Sequence, residues 1–321
     1  MENPSPGGTR LLIMAGKCKC CRLLCRDFAI FAKTILNDMS PYDTIELKDY
    51  FQSGEGGTAI TYTHKDGKTL AKLFLPGMAA ETAEREFHIS EAVYASGLPT
   101  PRPIRLVTDG TCYGAEYEFI PGKRSFTRII SEEPSQMEPL SLRFAKLAKE
   151  LHATKADTSR FPSMKELVRK QILLHEGLQE DLREKAMTVL EGLPDADTCL
   201  HGDFHIGNII TDGSRTMWID IGQFCHGVPQ WDLGWFWTIC HNLGNKRADF
   251  LLHLTQRALI SFWDAFLPAY LGTTDPQAIA AYIREILSFY AVRVPYMFHL
   301  ANHTRLPEEG CRALLQLIPT D

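Results

Sequence analysis

From residue 43 onward, apolar and polar positions fall into regular periods. Residues 44–51, 58–63 and 69–75 are rich in β-branched and aromatic residues and are bounded by turn formers, so they read as strands. Asp66-Gly67 between the second and third suggests a tight hairpin. Residues 79–96 read as a helix with Phe87, Val93 and Tyr94 as apolar positions, stopped by Gly97, Pro99 and Pro101. Strands near 104–107 and 112–120 follow, which predicts a five-stranded antiparallel sheet with one inserted helix. Beyond Pro121-Gly122 the period changes to helical. Leu140, Phe144, Leu147, Ala148 and Leu151 share one face of a helix over 138–153. Further helices are expected over 163–176, 179–191, 230–243, 246–270, 276–302 and 307–317, with short strands flanking 199–220. The pattern predicts an α+β chain: a sheet lobe over 43–120, a hinge at Pro121-Gly122, and a mainly helical lobe over 121–321.

Residues 1–42 stand apart and are expected to form a poorly ordered extension. Residues 1–38 carry six Lys/Arg against three Asp/Glu, while the remainder carries 28 against 36. Met39, just before the first expected strand, is an alternative start of translation. The nine cysteines include a cluster at Cys18, Cys20, Cys21 and Cys25 whose spacing matches no usual zinc site. The count is odd and no signal peptide is recognisable, so free thiols in a cytoplasmic protein are expected. The net charge of −5 is spread along the chain and gives no basic surface for nucleic acid, and no apolar run is long enough to span a membrane.

The chemistry concentrates in His201-Gly202-Asp203-Phe204-His205-Ile206-Gly207-Asn208, followed by Trp218-Ile219-Asp220. Phosphoryl transfer from ATP needs a carboxylate to take the acceptor hydroxyl's proton, and oxygen ligands to hold Mg²⁺ on the phosphates. Asp203 is assigned as the base, and Asn208 and Asp220 as the magnesium ligands. The alternation of His201, Asp203 and His205 would also suit a metal site on a strand, but that reading leaves Asn208 and Asp220 without a role. Ser53-Gly54-Glu55-Gly56-Gly57-Thr58 lies between two expected strands, and Gly54, Gly56 and Gly57 would let backbone N–H groups approach phosphates. No Gly-Lys-Ser/Thr ends it, so it is not a Walker loop. One hairpin later comes Lys72, where a kinase places the lysine that binds the α- and β-phosphates. Its partner is expected on the following helix: Glu86, ahead of Glu81, Glu84 and Glu91.

The order of glycine loop, lysine, helix glutamate, hinge, Asp/Asn and second Asp resembles the aminoglycoside phosphotransferase and choline kinase-like family of small-molecule kinases. The resemblance runs from about residue 44 to about residue 245. Its marks are His201–Asn208, Ile219-Asp220, Gly227-x4-Asp232-Leu233, Leu147-Ala148-x2-Leu151-His152 and Gly97-Leu98-Pro99-x-Pro101. Tyr117–Lys123 and His152-Ala153-Thr154-x7-Phe161-Pro162-Ser163-Met164-Lys165 look like one bacterial subfamily of it. The resemblance implies a protein-kinase-like bilobal fold with ATP in the cleft. It also implies adenine hydrogen bonds to the hinge backbone at Glu118, Phe119 and Ile120, and a structural role for Asp232.

Two departures from protein kinases point to a small acceptor. Gly202 stands where they carry an arginine, and only eleven residues separate Asp220 from Asp232, leaving little room for a peptide-docking loop. From residue 230 onward there are eight Asp/Glu and seven Lys/Arg, which gives no support for a polycationic antibiotic as acceptor. Trp235 and Phe236 are expected in the core. A sugar, an amino alcohol or a related metabolite is the expected acceptor class. The competing readings are an aminoglycoside resistance kinase and a nucleotide-binding regulator without catalysis.

Overall fold

Alternating apolar positions in the first lobe build one sheet from β1 (Asp43–Thr44), β2 (Tyr50–Glu55), β3 (Ala59–His64), β4 (Thr69–Phe74), β5 (Pro103–Thr108) and β6 (Tyr113–Glu118), with α1 (Ala80–Ala95) inserted after β4. This computed structural model describes residues 40–175, 178–302 and 307–316. Of the extension expected over 1–42, residues 1–39 and the cysteine cluster lie outside the described residues, while Tyr42 is buried. The chain divides into two units, Met1–Asp43 and Thr44–Asp321. The strand order is β1-β5-β6-β4-β3-β2.

The sheet has six strands where five were expected. The stretch expected as one strand over 44–51 is interrupted by a 3-10 turn at Leu47–Asp49, closed by Asp49 N–H donating to Glu46 O at 2.9 Å. Apolar residues at Ile45, Leu47 and Tyr50 satisfy a broken strand as well as a continuous one, since all three pack on the same cluster. The five longer strands pair antiparallel. In β4, Ala71 and Leu73 are buried against Ile45, Tyr50 and Val107, so the intervening Lys72 points to the opposite face, toward the cleft.

After the hinge come β7 (Arg124–Ser125) and α2 (Phe126–Glu132), neither of which was expected. The Ser125 hydroxyl caps α2 by accepting the Arg128 N–H at 3.2 Å. The second lobe continues with α3 (Met137–Ala153), α4 (Met164–Leu174), α5 (Glu180–Gly192), β8 (Cys199–Leu200), β9 (Ile209–Thr211), β10 (Thr216–Trp218) and β11 (Cys225–His226). It ends with α6 (Gln230–Asn242), α7 (Asn245–Leu252), α8 (Gln256–Leu271), α9 (Pro276–Asn302) and α10 (Glu308–Leu315). The helix expected over 246–270 is two helices. His253 turns the chain with φ 53°, and the Thr255 hydroxyl starts α8 by accepting the Ala258 N–H at 3.2 Å.

Phe144 of α3 centres the main core, with ring centroids 4.9 Å from Phe204, 5.3 Å from Phe236 and 5.2 Å from Phe266. Ile89, Ala92 and Val93 of α1 belong to this same cluster. The helix that carries Glu86 thus packs on β5 and β6 and also joins the second lobe's core, where each large apolar side chain buried contributes about 1.5–3 kcal/mol. Among the described residues no helix is long and apolar enough to cross a membrane.

Candidate active site

A cavity of about 390 Å³ lies between the lobes, lined among others by Gly54, Gly56, Gly57, Lys72, Glu86 and Asp220. The Lys72 Nζ donates to Glu86 Oε1 at 2.7 Å and to Asp220 Oδ1 at 3.0 Å. Of the candidate glutamates, Glu86 makes this contact, while Glu91 pairs with His88 at 3.0 Å. Burial works against the Lys72 ammonium, but Asp220 and Glu86 outweigh it and hold its pKa above the ordinary lysine value. Asp220 has φ 57°, a left-handed conformation uncommon for a residue with a side chain. Two residues on, a Cβ at Gly222 would sit 2.8 Å from Glu86 Oε2, so glycine there keeps room for the glutamate. No short motif in the sequence marks Gly222.

Of the loop expected over Ser53–Thr58, Ser53, Gly54 and Glu55 are the end of β2, with Gly54 and Glu55 paired to β3, and only Gly56–Thr58 form the turn. Gly56 N–H donates to Ala59 O at 2.8 Å, and a Cβ at Gly54 would meet Thr61 Oγ1 at 2.7 Å. Gly57 has open space on the side a Cβ would take. At the hinge, Glu118 and Ile120 line the cavity and Phe119 does not. The Glu118 N–H already donates to Arg102 O and the Phe119 N–H to Lys68 O, both at 2.9 Å. Behind them Tyr117 OH and Ser90 Oγ exchange a hydrogen bond at 3.3 Å, closing the cavity toward α1.

The loop from β8 to β9 is pinned from below by Asp232, at 0% exposure. Its carboxylate accepts the N–H groups of His201 at 2.7 Å and Gly202 at 3.1 Å, and lies 3.3 Å from His152 Nε2. Burial would raise the Asp232 pKa, but His152 and Arg293 hold it below the ordinary value. Gly202 has φ 81°, and a Cβ would come within 1.9 Å of Gln223 O, which excludes any larger residue. Arg293, buried in α9, donates to Gly202 O and Trp231 O, and lies 3.9 Å from Asp232 Oδ1. His201, its pKa lowered by burial, donates from Nε2 to Ile219 O at 3.0 Å and accepts the Asp203 N–H on Nδ1 at 3.3 Å.

Asp203 stands beside the cavity but outside its lining. The Asn208 Nδ2 donates to Asp203 O at 2.9 Å and Oδ2 at 3.3 Å, and Trp235 Nε1 donates to Oδ1 at 2.9 Å. Burial would raise the Asp203 pKa, but His205, His201 and the Trp235 N–H hold its carboxyl well below the usual carboxylate range. The Asn208 amide nitrogen faces Asp203, which turns its oxygen the other way, and Asn208 and Asp220 both line the cavity. Two hard oxygen donors on a cavity of this size suit a magnesium ion that completes its shell with phosphate and water oxygens. Among the described residues no cluster of three His, Cys, Asp or Glu side chains is arranged to hold a metal by itself. The expected aromatic core splits: Phe236 is fully buried, whereas Trp235 is half-buried and reaches Asp203.

Two lobes, with an ion-paired lysine in one and an Asp/Asn loop in the other, define a protein of the kinase fold. The Phosphotransferase enzyme family model matches residues 51–278, and the chain belongs to that family. Among solved structures, a choline/ethanolamine kinase family protein from Mesorhizobium loti is similar at 14% identity and TM-score 0.52, covering 84% of this chain and 88% of its own. An ethanolamine kinase from Plasmodium vivax is similar at 20% identity and TM-score 0.51, covering 84% and 80%. Aminoglycoside phosphotransferase APH(2'')-Ib, bound to ADP, is similar at 18% identity and TM-score 0.51, covering 90% and 97%. At these identities the likeness is one of fold. No curated protein sequence matches the chain.

Proposed function

We propose that the chain transfers the γ-phosphoryl group of ATP to a hydroxyl of a small molecule such as a sugar or an amino alcohol. The observation that carries this reading is the meeting of Lys72, Glu86 and Asp220 on one cavity, with the Asp203 carboxylate at its edge. Lys72 and the Gly54–Gly57 backbone would hold the phosphates. With the Glu118 and Phe119 N–H groups donating elsewhere, the Ile120 N–H is the hinge donor left for a base edge. Asn208 and Asp220 would hold Mg²⁺, which when bound offsets charge on the phosphate oxygens. Asp203 takes the proton from the acceptor hydroxyl. The acceptor oxygen forms a bond to the γ-phosphorus as the bond to the bridging oxygen breaks, and ADP leaves.

The near-balance of seven basic and eight acidic residues from 230 onward gives no support for a polycationic acceptor. The test is phosphoryl transfer from MgATP across a panel of sugars, amino alcohols and aminoglycosides. Turnover on a sugar or amino alcohol that exceeds turnover on every aminoglycoside is expected. Selective transfer to aminoglycosides would contradict the acceptor class, and no transfer to any hydroxyl would contradict the reading itself.

A further inference from the structure

The elements that anchor the catalytic loop act on its backbone, and they leave the plane of the Asp203 carboxylate to other contacts. Oδ2 has Asn208 Nδ2 at 3.3 Å and His205 Nε2 at 3.6 Å, one marginal hydrogen bond and one contact too long to be one. Oδ1 has Trp235 Nε1 at 2.9 Å, the modal length for an N–H donor to oxygen. Asn208 is also the residue proposed to hold magnesium, so its contact with Oδ2 is weak and belongs to a group with another task. Trp235, by contrast, lies outside the lining of the cavity proposed to hold the nucleotide and its metal. An indole N–H donates and cannot accept, so it orients the carboxylate without competing for the proton that Asp203 must take.

Trp235 is itself held. It lies three residues after Asp232 on α6, so one helix face supplies both the carboxylate that pins the His201 and Gly202 N–H groups and the indole that reaches Asp203. The Arg293 guanidinium lies over the Trp235 ring, 5.6 Å from its centroid, and donates to Gly202 O next to Asp203. One buried cation from α9 therefore braces the loop backbone and the ring that orients its side chain.

From this arrangement we propose that Trp235 is a positioning residue for phosphoryl transfer: its indole N–H fixes the Asp203 carboxylate, and Arg293 backs its ring. The role rests on the phosphotransferase reading above. Trp235 need not touch nucleotide, and it acts on the rate of transfer rather than on nucleotide affinity.

Two measurements on the full chain test it. The first follows the indole N–H proton resonances of the five tryptophans, with Trp235→Phe assigning the Trp235 signal. A hydrogen bond to a carboxylate shifts that signal downfield, whereas the buried Trp218 and Trp231 N–H groups have no partner among the described residues. Asp203→Asn is expected to move the Trp235 signal and leave those two in place. The second compares Trp235→Phe with wild type, using the best acceptor from the panel and water as acceptor. A fall in kcat of about tenfold with KM for MgATP nearly unchanged is expected. A ring that only fills space would lower the melting temperature and leave kcat and the resonance untouched. An unmoved signal, or an unchanged kcat in a folded Trp235→Phe, overturns the proposal. Should that variant not fold, Trp235→Leu takes its place in both measurements, and an unchanged kcat in the folded Trp235→Leu overturns the proposal. A wild-type chain without transfer to any acceptor would sink the phosphotransferase reading and the role with it, while the resonance still reports the contact.

Discussion

At the scale of single residues, Lys72, Glu86 and Gly222 are coupled by space. The Lys72 and Glu86 side chains are 18% and 14% exposed, so their pairing is less screened than a surface ion pair worth ~0–1 kcal/mol. Gly222→Ala would put a methyl against the Glu86 carboxylate and push it off the lysine. The expected outcome is a rise in KM for MgATP on the order of tenfold, about 1.4 kcal/mol, with Lys72→Ala worse and melting temperature little changed. Steady-state kinetics with MgATP varied check this, and an unchanged KM for Gly222→Ala would remove the spatial argument. Lys72, the glycine loop and the Asp203/Asn208 loop were legible in the sequence because each is a short motif between recognisable elements. Gly222, Trp235 and Arg293 were not, because their partners are remote. Arg293 meets Gly202 across 91 positions and Trp235 meets Asp203 across 32. The signal that existed for Trp235 was its place three residues after Asp232, on a helix face already tied to the loop.

At the scale of elements, strands β2, β4, β5 and β6 are tied together by one buried carboxylate. Glu116 accepts from Tyr50 OH at 2.6 Å, Thr69 Oγ1 at 2.8 Å and Arg105 Nε at 2.8 Å. Burial would raise its pKa, but these hydrogen bonds outweigh burial and lower it. A depressed folded pKa means stability that is present above the unfolded value of about 4.3 and lost as pH falls through the folded one. Glu116→Gln should therefore cost stability at neutral pH, about 1–3 kcal/mol for a charged acceptor, and the cost should shrink in acid. Denaturant melts at several pH values check it, and a cost that stays constant with pH would contradict it. The elements misread from sequence share a physical cause. Periodicity reports which side of a segment is apolar, and it is nearly blind to a single turn. The 3-10 turn at Leu47–Asp49 and the Thr255 cap that starts α8 each break a segment whose apolar positions continue on either side.

At the scale of the whole molecule, the two lobes share a core and both line the cavity. The sheet lobe contributes the glycine loop, Lys72 and Glu86; the helical lobe contributes Asp203, Asn208 and Asp220; and α1 is packed into the helical lobe's cluster through Ile89, Ala92 and Val93. The bilobal plan was legible because the period of apolar residues changes from two to about 3.6 at Pro121-Gly122. The packing of α1 across that boundary was not, since nothing in its own sequence names its partner. Under the proposed reading, binding and chemistry are separable at Asp203, which stands outside the cavity lining. The most direct measurement pairs MgATP calorimetry with phosphoryl transfer to the best acceptor, for wild type and Asp203→Asn. MgATP affinity is expected to stay within a few-fold while kcat falls by about 10² or more, as loss of a general base does. Wild-type turnover in the variant, or an equal loss of binding and turnover, would contradict it.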